Sequence, residues 1–247
     1  MATAFSDDAF VLSKRFYGEK KVLLSLFTQR HGLQKGMTTC ADHTHHRAFE
    51  TGARFYVNAT QKRDNALSSF SLEPLAPSPA AFLAYRKKES LLALLDLLLR
   101  LQNLLAANHP YPLLFKALCV LFDTTDTQRF DQAFVAFQFF LLETVGYGLE
   151  LTHCALTHTK ENLLYLSTET GKAISAQGFA TLSVPQKEDL KPFLKPLPAF
   201  LRGAKIGCDL MLPQCSPPDL KTAQTLLDLL FAQHLPSTPF KHIKQAS

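Results

Sequence analysis

Short apolar runs separated by turn residues dominate the first 75 residues of the chain. They lie at residues 9–12, 21–28, 49–62 and 67–75, and the last of them alternates polar and apolar positions. Runs of this length, ended by turn signals such as Tyr17-Gly18 and His31-Gly32, are typical of β-strands. Several short strands at a spacing of about 8–12 residues indicate a small barrel or sandwich. The segment is long enough for a five-stranded barrel of the OB type.

The pattern becomes helical after a proline-rich segment at residues 74–79. Leucines then recur every three or four residues from Leu91 to Leu105, which predicts a largely buried helix. Further helices are predicted at 113–122, 130–145 and 219–234, and a β-hairpin is predicted around the turn at 168–171. We therefore predict an α+β protein with an N-terminal β-barrel at residues 1–77 and a helical domain at residues 78–247.

Composition narrows the class of protein without identifying a function. The chain has 247 residues, of which 47% are hydrophobic and 19% charged, and its formal net charge is +5. This balance excludes a disordered protein, and polar residues interrupt the most apolar stretch too often for a membrane span. The five cysteines lack CxxC spacing and the N-terminus lacks the features of a signal peptide. We therefore expect reduced thiols and a cytoplasmic location.

The common catalytic signatures are absent from the sequence. There is no GxxxxGK(S/T) loop, GxGxxG, GxSxG or HExxH motif, so we predict no enzyme activity and no cofactor. The alternative is a metal-dependent enzyme that uses His43, His45 and His46. In an extended segment, His43 and His45 would point to the same side, as two metal ligands require. The simpler interpretation of this cluster is a polar loop between strands.

Basic residues concentrate in the predicted barrel. Residues 1–72 contain ten Lys and Arg against six Asp and Glu, which leaves +4 of the chain's net charge of +5 in this part. Proteins that bind single-stranded nucleic acid combine a basic groove with aromatic side chains on which bases stack. Phe16, Tyr17, Phe55 and Tyr56 lie beside these charges in the sequence. The alternative is that Phe55 belongs to the core and the lysines form a solvated surface.

Several parts of the chain resemble the RecO family of DNA-repair proteins, in the same order. Residues 9–32 resemble the opening of the family, where a strand, a "(Y/W)xE" turn, a second strand and "LFTxxxG" begin an OB fold. Residues 137–155 are similar to "FExxLLxxLGYGxxLxxCA". Residues 162–175 and 197–201 are similar to the branch that reads "DLxYVSPKSGRAVS" and "LPxFL", and residues 109–112 fall where that branch has "HPxLYxAL".

The resemblance implies both a fold and a function. It implies an OB domain, a helical domain and a zinc-ribbon-like hairpin insertion at residues 149–180. RecO proteins bind single- and double-stranded DNA, anneal complementary strands and bind the acidic C-terminal tail of single-strand binding protein. With RecR they help to load RecA onto DNA coated by that protein. The resemblance therefore implies a mediator of the RecF pathway that is monomeric alone and associates with the nucleoid.

The chain departs from the family pattern at three places. The insertion keeps Cys154 of the cysteine pairs that hold zinc in other members, but Thr157 and the stretch 171–175 provide no cysteine. We therefore predict that the hairpin has lost its metal. The loop after Gly32, which is usually rich in Arg and Lys, contains a histidine cluster here. Gln138 stands where the family has Glu.

Two sets of residues are predicted to bind macromolecules, and none to bind a metal. For the acidic tail of single-strand binding protein we predict an apolar groove flanked by Lys116 and Arg129. Besides the metal-dependent enzyme, the alternative to a DNA-binding mediator is a protein-binding adaptor with a degenerate OB barrel. The residues predicted to contact DNA phosphates are Lys14, Arg15, Lys20, Lys21, Arg30, Lys35, Arg47, Arg54 and Lys62.

Overall fold

The chain divides into two compact units, the first ending at Thr125 and the second starting at Asp126. The computed structural model describes residues 3–18, 20–39, 49–61, 67–75, 88–212 and 216–235. The elements of the first unit are β1 (Thr3–Tyr17), β2 (Lys21–Thr28), β3 (Gly32–Thr39), β4 (Arg54–Gln61), β5 (Ser68–Pro74), α1 (Lys88–Leu104) and α2 (Pro112–Asp123). Those of the second unit are α3 (Thr127–Thr144), β6 (Leu163–Ser167), β7 (Lys172–Ser175), α4 (Ala176–Thr181), α5 (Val184–Leu190), β8 (Leu194–Pro196) and α6 (Pro217–His234).

In the first unit, strands β1 to β5 close into a barrel in the order β1-β2-β3-β5-β4. Neighbouring strands are antiparallel except β3 and β5, which run parallel. β1 is long enough to pair with β4 along its N-terminal half and with β2 along its C-terminal half, with a register shift between Val11 and Ser13. The predicted α+β class with an N-terminal OB-like barrel is confirmed. The barrel core contains Ala9, Val11, Val22, Leu24, Leu26, Phe49, Phe55, Val57, Ala59 and Phe70.

Closure of the barrel depends on a glycine where β3 meets β5. Gly36 pairs with Ser68 across this junction. A Cβ atom at Gly36 would lie 2.5 Å from the carbonyl oxygen of Ser68 and 2.6 Å from the ring of Phe70. These distances are shorter than van der Waals contact, so a side chain at this position would separate the two strands. Glycine within a strand often marks such a close approach of backbones.

Helices α1 and α2 complete the first unit by packing against the barrel. The rings of Phe10 and Phe27 project outward from the barrel and contact Phe115 of α2, at centroid distances of 5.3 and 5.6 Å. The hydroxyl of Ser13 donates a hydrogen bond of 2.6 Å to Gln102 of α1. The predicted boundary after residue 77 therefore separates strands from helices, whereas the compact unit continues to Thr125. That residues 1–77 form a separate domain stays a prediction.

The second unit combines helices with a small sheet of order β7-β6-β8. α3 contacts α6, and the buried amide of Gln138 exchanges hydrogen bonds of 2.8 and 3.2 Å with the amide of Gln224. The predicted hairpin is confirmed, because β6 and β7 pair in antiparallel fashion on either side of residues 168–171. The side-chain hydroxyl of Ser216 accepts a hydrogen bond from the backbone N–H of Asp219 and caps the N-terminus of α6. No helix within the described ranges is long and apolar enough to cross a membrane.

The prediction of a loop directly after Gly32 was wrong. Residues Gly32–Thr39 form β3, which pairs with β2 along its whole length. Two glycines and several polar residues give this segment a weak strand signal, and its pairing with β2 stabilises the extended conformation. Lys35 consequently lies on a strand, where its direction is fixed by the alternation of side chains. The rest of the predicted loop, including the histidine cluster, lies outside the described residues.

Candidate nucleic-acid interface

The outer face of β1, β2 and β3 carries an exposed basic side chain on each strand. Lys21 precedes an interior position of β2 and therefore points outward, since successive side chains alternate between faces. Tyr17 lies directly opposite Lys21, and Lys35 lies opposite Ser25 on the same side of the sheet. Arg15 precedes Tyr17 by two residues and shares its side. We call this surface, formed by Arg15, Tyr17, Lys21 and Lys35, the basic face.

The basic face concentrates positive charge at the spacing of a sheet. Arg15 and Tyr17 are about 7 Å apart along β1, and Lys35 is about 13 Å further along the sheet than Lys21. Arg15, Lys21 and Lys35 are all exposed, and Lys20 is exposed in the turn before β2. None of the described side chains of residues 13–17, 21–28 and 32–39 is acidic. Such a surface attracts polyanions.

The outer face of β4 and β5 carries acidic side chains, unlike the basic face. Asp8, Tyr56 and Glu73 are aligned across β1, β4 and β5 and share this face. The guanidinium of Arg54 lies 3.0 Å from the carboxylate of Asp8 and 5.8 Å from the ring centroid of Phe10. Arg54, a predicted DNA-binding residue, is thus held in contacts within the first unit and away from the basic face.

Arg30 is also engaged by a carboxylate of the barrel. Asp7 is 1% exposed and accepts hydrogen bonds from the backbone N–H of Arg30 at 2.7 Å and from its Nε at 3.2 Å. The same guanidinium donates to the carbonyl of Ser6, and Nδ1 of His31 lies 2.9 Å from Asp7. The ring of His31 stacks on Phe5 at a centroid distance of 4.1 Å. These contacts tie the turn between β2 and β3 to β1.

One further predicted DNA-binding residue, Lys14, is described by the structure and does not lie on the basic face. Lys14 lies opposite Leu24, on the other side of β1, and its Nζ is 5.8 Å from the ring centroid of Phe16. Arg47 and Lys62 lie outside the described residues. The structure therefore brings together Arg15, Lys21 and Lys35, with Lys20 in the adjacent turn.

The two predicted partner-binding residues belong to different compact units. Lys116 is exposed on α2 of the first unit, and Arg129 is exposed in the first turn of α3 in the second unit. A cavity of about 240 Å³ in the second unit is lined by Glu143 and Glu150 as well as Lys205, and Arg129 does not line it. The predicted groove flanked by Lys116 and Arg129 stays a prediction.

Comparison with known proteins agrees with this architecture. A family model described as "Recombination protein O C terminal" matches residues 90–243. The chain belongs to the RecO family. It is 32% identical to "DNA repair protein RecO" of Methylorubrum extorquens (strain PA1) over 79% of this chain and 76% of that protein. It is 25% identical to the protein of the same description from Ehrlichia chaffeensis, over 93% of this chain and 89% of the relative.

The zinc expected in some RecO proteins does not fit the residues of this one. Two pairs of residues three positions apart lie next to each other at the start of α4. They are Cys154 with Thr157 and Ser175 with Gly178. The backbone N–H of Ser175 donates to the sulfur of Cys154 at 3.2 Å, and the hydroxyls of Thr157 and Ser175 are 3.3 Å apart. A Cβ at Gly178 would lie 2.7 Å from the same sulfur. Structural zinc requires four Cys or His ligands, whereas this cluster offers one thiol and two hydroxyls.

Hydrogen bonds to its sulfur make the thiol of Cys154 more acidic than an ordinary cysteine. Burial alone would raise its pKa, but hydrogen bonds from Ser175, Thr157 and Leu156 outweigh burial and lower the pKa to about 6. In the parts of the chain that the structure describes, no group of three or more His, Cys, Asp or Glu side chains could hold a metal ion. The histidines 43, 45 and 46 lie outside those parts.

Neither the buried position of Asp7 nor the ion pairs of two arginines was predicted from the sequence. Asp7 occupies an interior position of β1, two residues from Phe5 and from Ala9 on the same side of the strand. An acidic residue at an interior position of an alternating strand is the signal that could have revealed it. The partners of Arg30 and Arg54 could not be found in this way, because the Asp residues that bind them are 23 and 46 positions away.

Proposed function

We propose that this protein is a recombination mediator in DNA repair that binds DNA through the basic face. The observation that best supports this proposal is the convergence of Arg15, Lys21 and Lys35 on one outward surface, with Lys20 in the turn beside it. OB barrels bind oligonucleotides on the face of their second and third strands and in the loop between their first and second strands. Lys20, Lys21 and Lys35 occupy these positions, and Arg15 lies beside them on β1. The relatives described as DNA repair proteins support the biological setting.

Contact with phosphates explains how one surface serves several forms of DNA. Lys and Arg neutralise backbone phosphates irrespective of base sequence, so the basic face binds both single- and double-stranded DNA. Phosphate contacts leave the Watson–Crick edges of a bound single strand free to pair. Annealing of complementary strands then needs no bond cleavage, nucleotide or cofactor, and we propose that the protein is not an enzyme.

We further propose that the protein works with the partners of its family in the cytoplasm, at the nucleoid. With RecR it helps to load RecA onto DNA coated by single-strand binding protein, and alone it is monomeric. The exposed cations Lys116 and Arg129 are the proposed contacts for the acidic tail of single-strand binding protein. The test is the affinity for a labelled tail peptide. A Lys116→Glu/Arg129→Glu variant should bind the peptide more weakly, and unchanged affinity would remove these residues from the proposal.

The DNA proposal is tested by fluorescence anisotropy with a labelled oligonucleotide over a series of salt concentrations. For single strands, the slope of log K against log salt is about −0.7 for each phosphate contact. A Lys20→Glu/Lys21→Glu/Lys35→Glu variant should therefore bind more weakly and have a slope that is shallower by about 2. Unchanged affinity and slope would exclude the basic face as the DNA-binding surface.

A matched control separates the basic face from the overall charge of the protein. Lys160, Lys191 and Lys221 are exposed in the second unit, and their replacement by Glu changes the net charge by the same amount as the first variant. This control should keep the wild-type slope. Absence of salt-dependent binding by the wild-type protein would instead favour the protein-binding adaptor. Stoichiometric metal in the purified protein by elemental analysis would favour the enzyme that uses the histidines at 43, 45 and 46.

A further inference from the structure

Tyr17 is an exposed aromatic residue at the end of the basic face. Its side chain is 71% exposed, whereas Phe10 and Phe27 on the same barrel are fully buried. Aromatic side chains in a folded protein usually lose most of their surface to the core, since each buries a large apolar area. A tyrosine at the rim of a barrel therefore has a ring available to a ligand.

The neighbours of Tyr17 favour a nucleic-acid ligand. Lys21 lies directly opposite Tyr17 across β1 and β2, and Arg15 lies two residues before it on the same side. Gly18 follows, and apart from its chain neighbours a Cβ built on it would meet no described atom within 4 Å, so the described residues leave the backbone next to Tyr17 uncovered. A strand of nucleic acid that places phosphates on Arg15 and Lys21 brings a base within reach of the ring.

We propose that Tyr17 is a base-stacking residue that makes the basic face prefer single-stranded over duplex DNA. This inference rests on the proposed function and adds the selectivity of the same site. In a duplex both faces of each base are covered by stacked neighbours, so the ring of Tyr17 cannot stack on a base there. In a single strand the bases are free to stack on an aromatic ring, whatever their sequence.

The test compares a labelled single strand with a duplex closed by hairpin loops, which offers no blunt end for stacking. Removal of one stacking ring costs about fivefold to 150-fold in affinity. Tyr17→Ala should lose affinity for the single strand by a factor in this range and keep its affinity for the duplex. The retained duplex binding also shows that the variant is folded.

Two control variants assign the effect to the ring and to its position. Tyr17→Phe keeps the ring and removes the hydroxyl, so its affinity for the single strand should match the wild type. Tyr56 is also exposed, but it shares its face with Asp8 and Glu73. Tyr56→Ala should therefore leave both affinities unchanged. An oligonucleotide without bases should bind wild type and Tyr17→Ala equally.

The outcomes separate this inference from the proposed function. Equal loss for single strand and duplex, or no loss for either, would overturn the stacking role of Tyr17 and leave the basic face as the DNA-binding surface. A difference that persists with the oligonucleotide without bases would also overturn it. Failure of the wild-type protein to bind either DNA would overturn the proposed function and the inference together.

Discussion

Replacement of Asp7 by alanine should destabilise the first unit substantially. The carboxylate is 1% exposed and accepts hydrogen bonds from the backbone N–H groups of Asp8 and Arg30, at 3.0 and 2.7 Å. Each hydrogen bond to a charged group contributes about 1.5–3 kcal/mol. The side chains of Arg30 and His31 are 66% and 38% exposed, so water can replace their contacts with Asp7 at little cost. From the two backbone donors we expect a loss of about 3 kcal/mol.

Urea denaturation and amide hydrogen exchange measure this loss. The exchange of the amide of Arg30 should accelerate, because its acceptor has been removed. Asp96→Ala is the control, since Asp96 forms a partly exposed i, i+4 ion pair with Arg100 within helix α1, and pairs of this kind on a helix contribute less than about 1 kcal/mol. If Asp7→Ala costs no more than Asp96→Ala, the account of Asp7 as the anchor of the turn between β2 and β3 is refuted.

Three other predictions test separate parts of the structure. Gly32 and Gly18 both have φ of +66°, but a Cβ at Gly32 would lie 1.9 Å from the carbonyl oxygen of His109. Gly18→Ala should lower the free energy of unfolding by about 1–2 kcal/mol, and Gly32→Ala should lower it by much more. Equal losses would contradict this. Gln138→Leu removes the donor to Oε1 of Gln224, whose Nε2 still donates to Asp228 at 3.2 Å, so we expect a cost of about 1 kcal/mol that shrinks in the Gln138→Leu/Gln224→Leu variant. An additive cost in a double-mutant cycle would argue against the pair. The lowered pKa of Cys154, about 6 instead of 9, predicts that the thiolate stabilises the fold above pH 9 and that this contribution is lost as the pH falls through 6; an ultraviolet titration of the thiol with a midpoint near 9 would contradict it.

The alternation of apolar and polar residues was enough to predict much of the barrel. β2, β4 and β5 lie within predicted strands, since their interior side chains follow each other at every second position. β3 was missed because Gly36, which lets β3 approach β5, weakens the local strand signal. Local patterns do not show which strands pair, and the closing junction depends on that pairing.

The candidate site was only partly predictable for the same reason. The excess of basic residues in the first part of the chain was visible, but their directions depend on the register of β1 with β2. That register places Arg15 and Lys21 on one face and turns Lys14 to the other. The ion pairs that engage Arg30 and Arg54 join residues distant in sequence, so the sequence alone could not show these contacts.

The salt dependence of DNA binding tests the central claim most directly. Three phosphate contacts to a single strand correspond to a change in slope of about 2.1, so raising salt fourfold, from about 50 to about 200 mM, should cost the wild type about 18-fold more affinity than the Lys20→Glu/Lys21→Glu/Lys35→Glu variant. The control variant at Lys160, Lys191 and Lys221 should behave like the wild type. Parallel salt dependence of the wild type and the first variant would contradict DNA binding through the basic face.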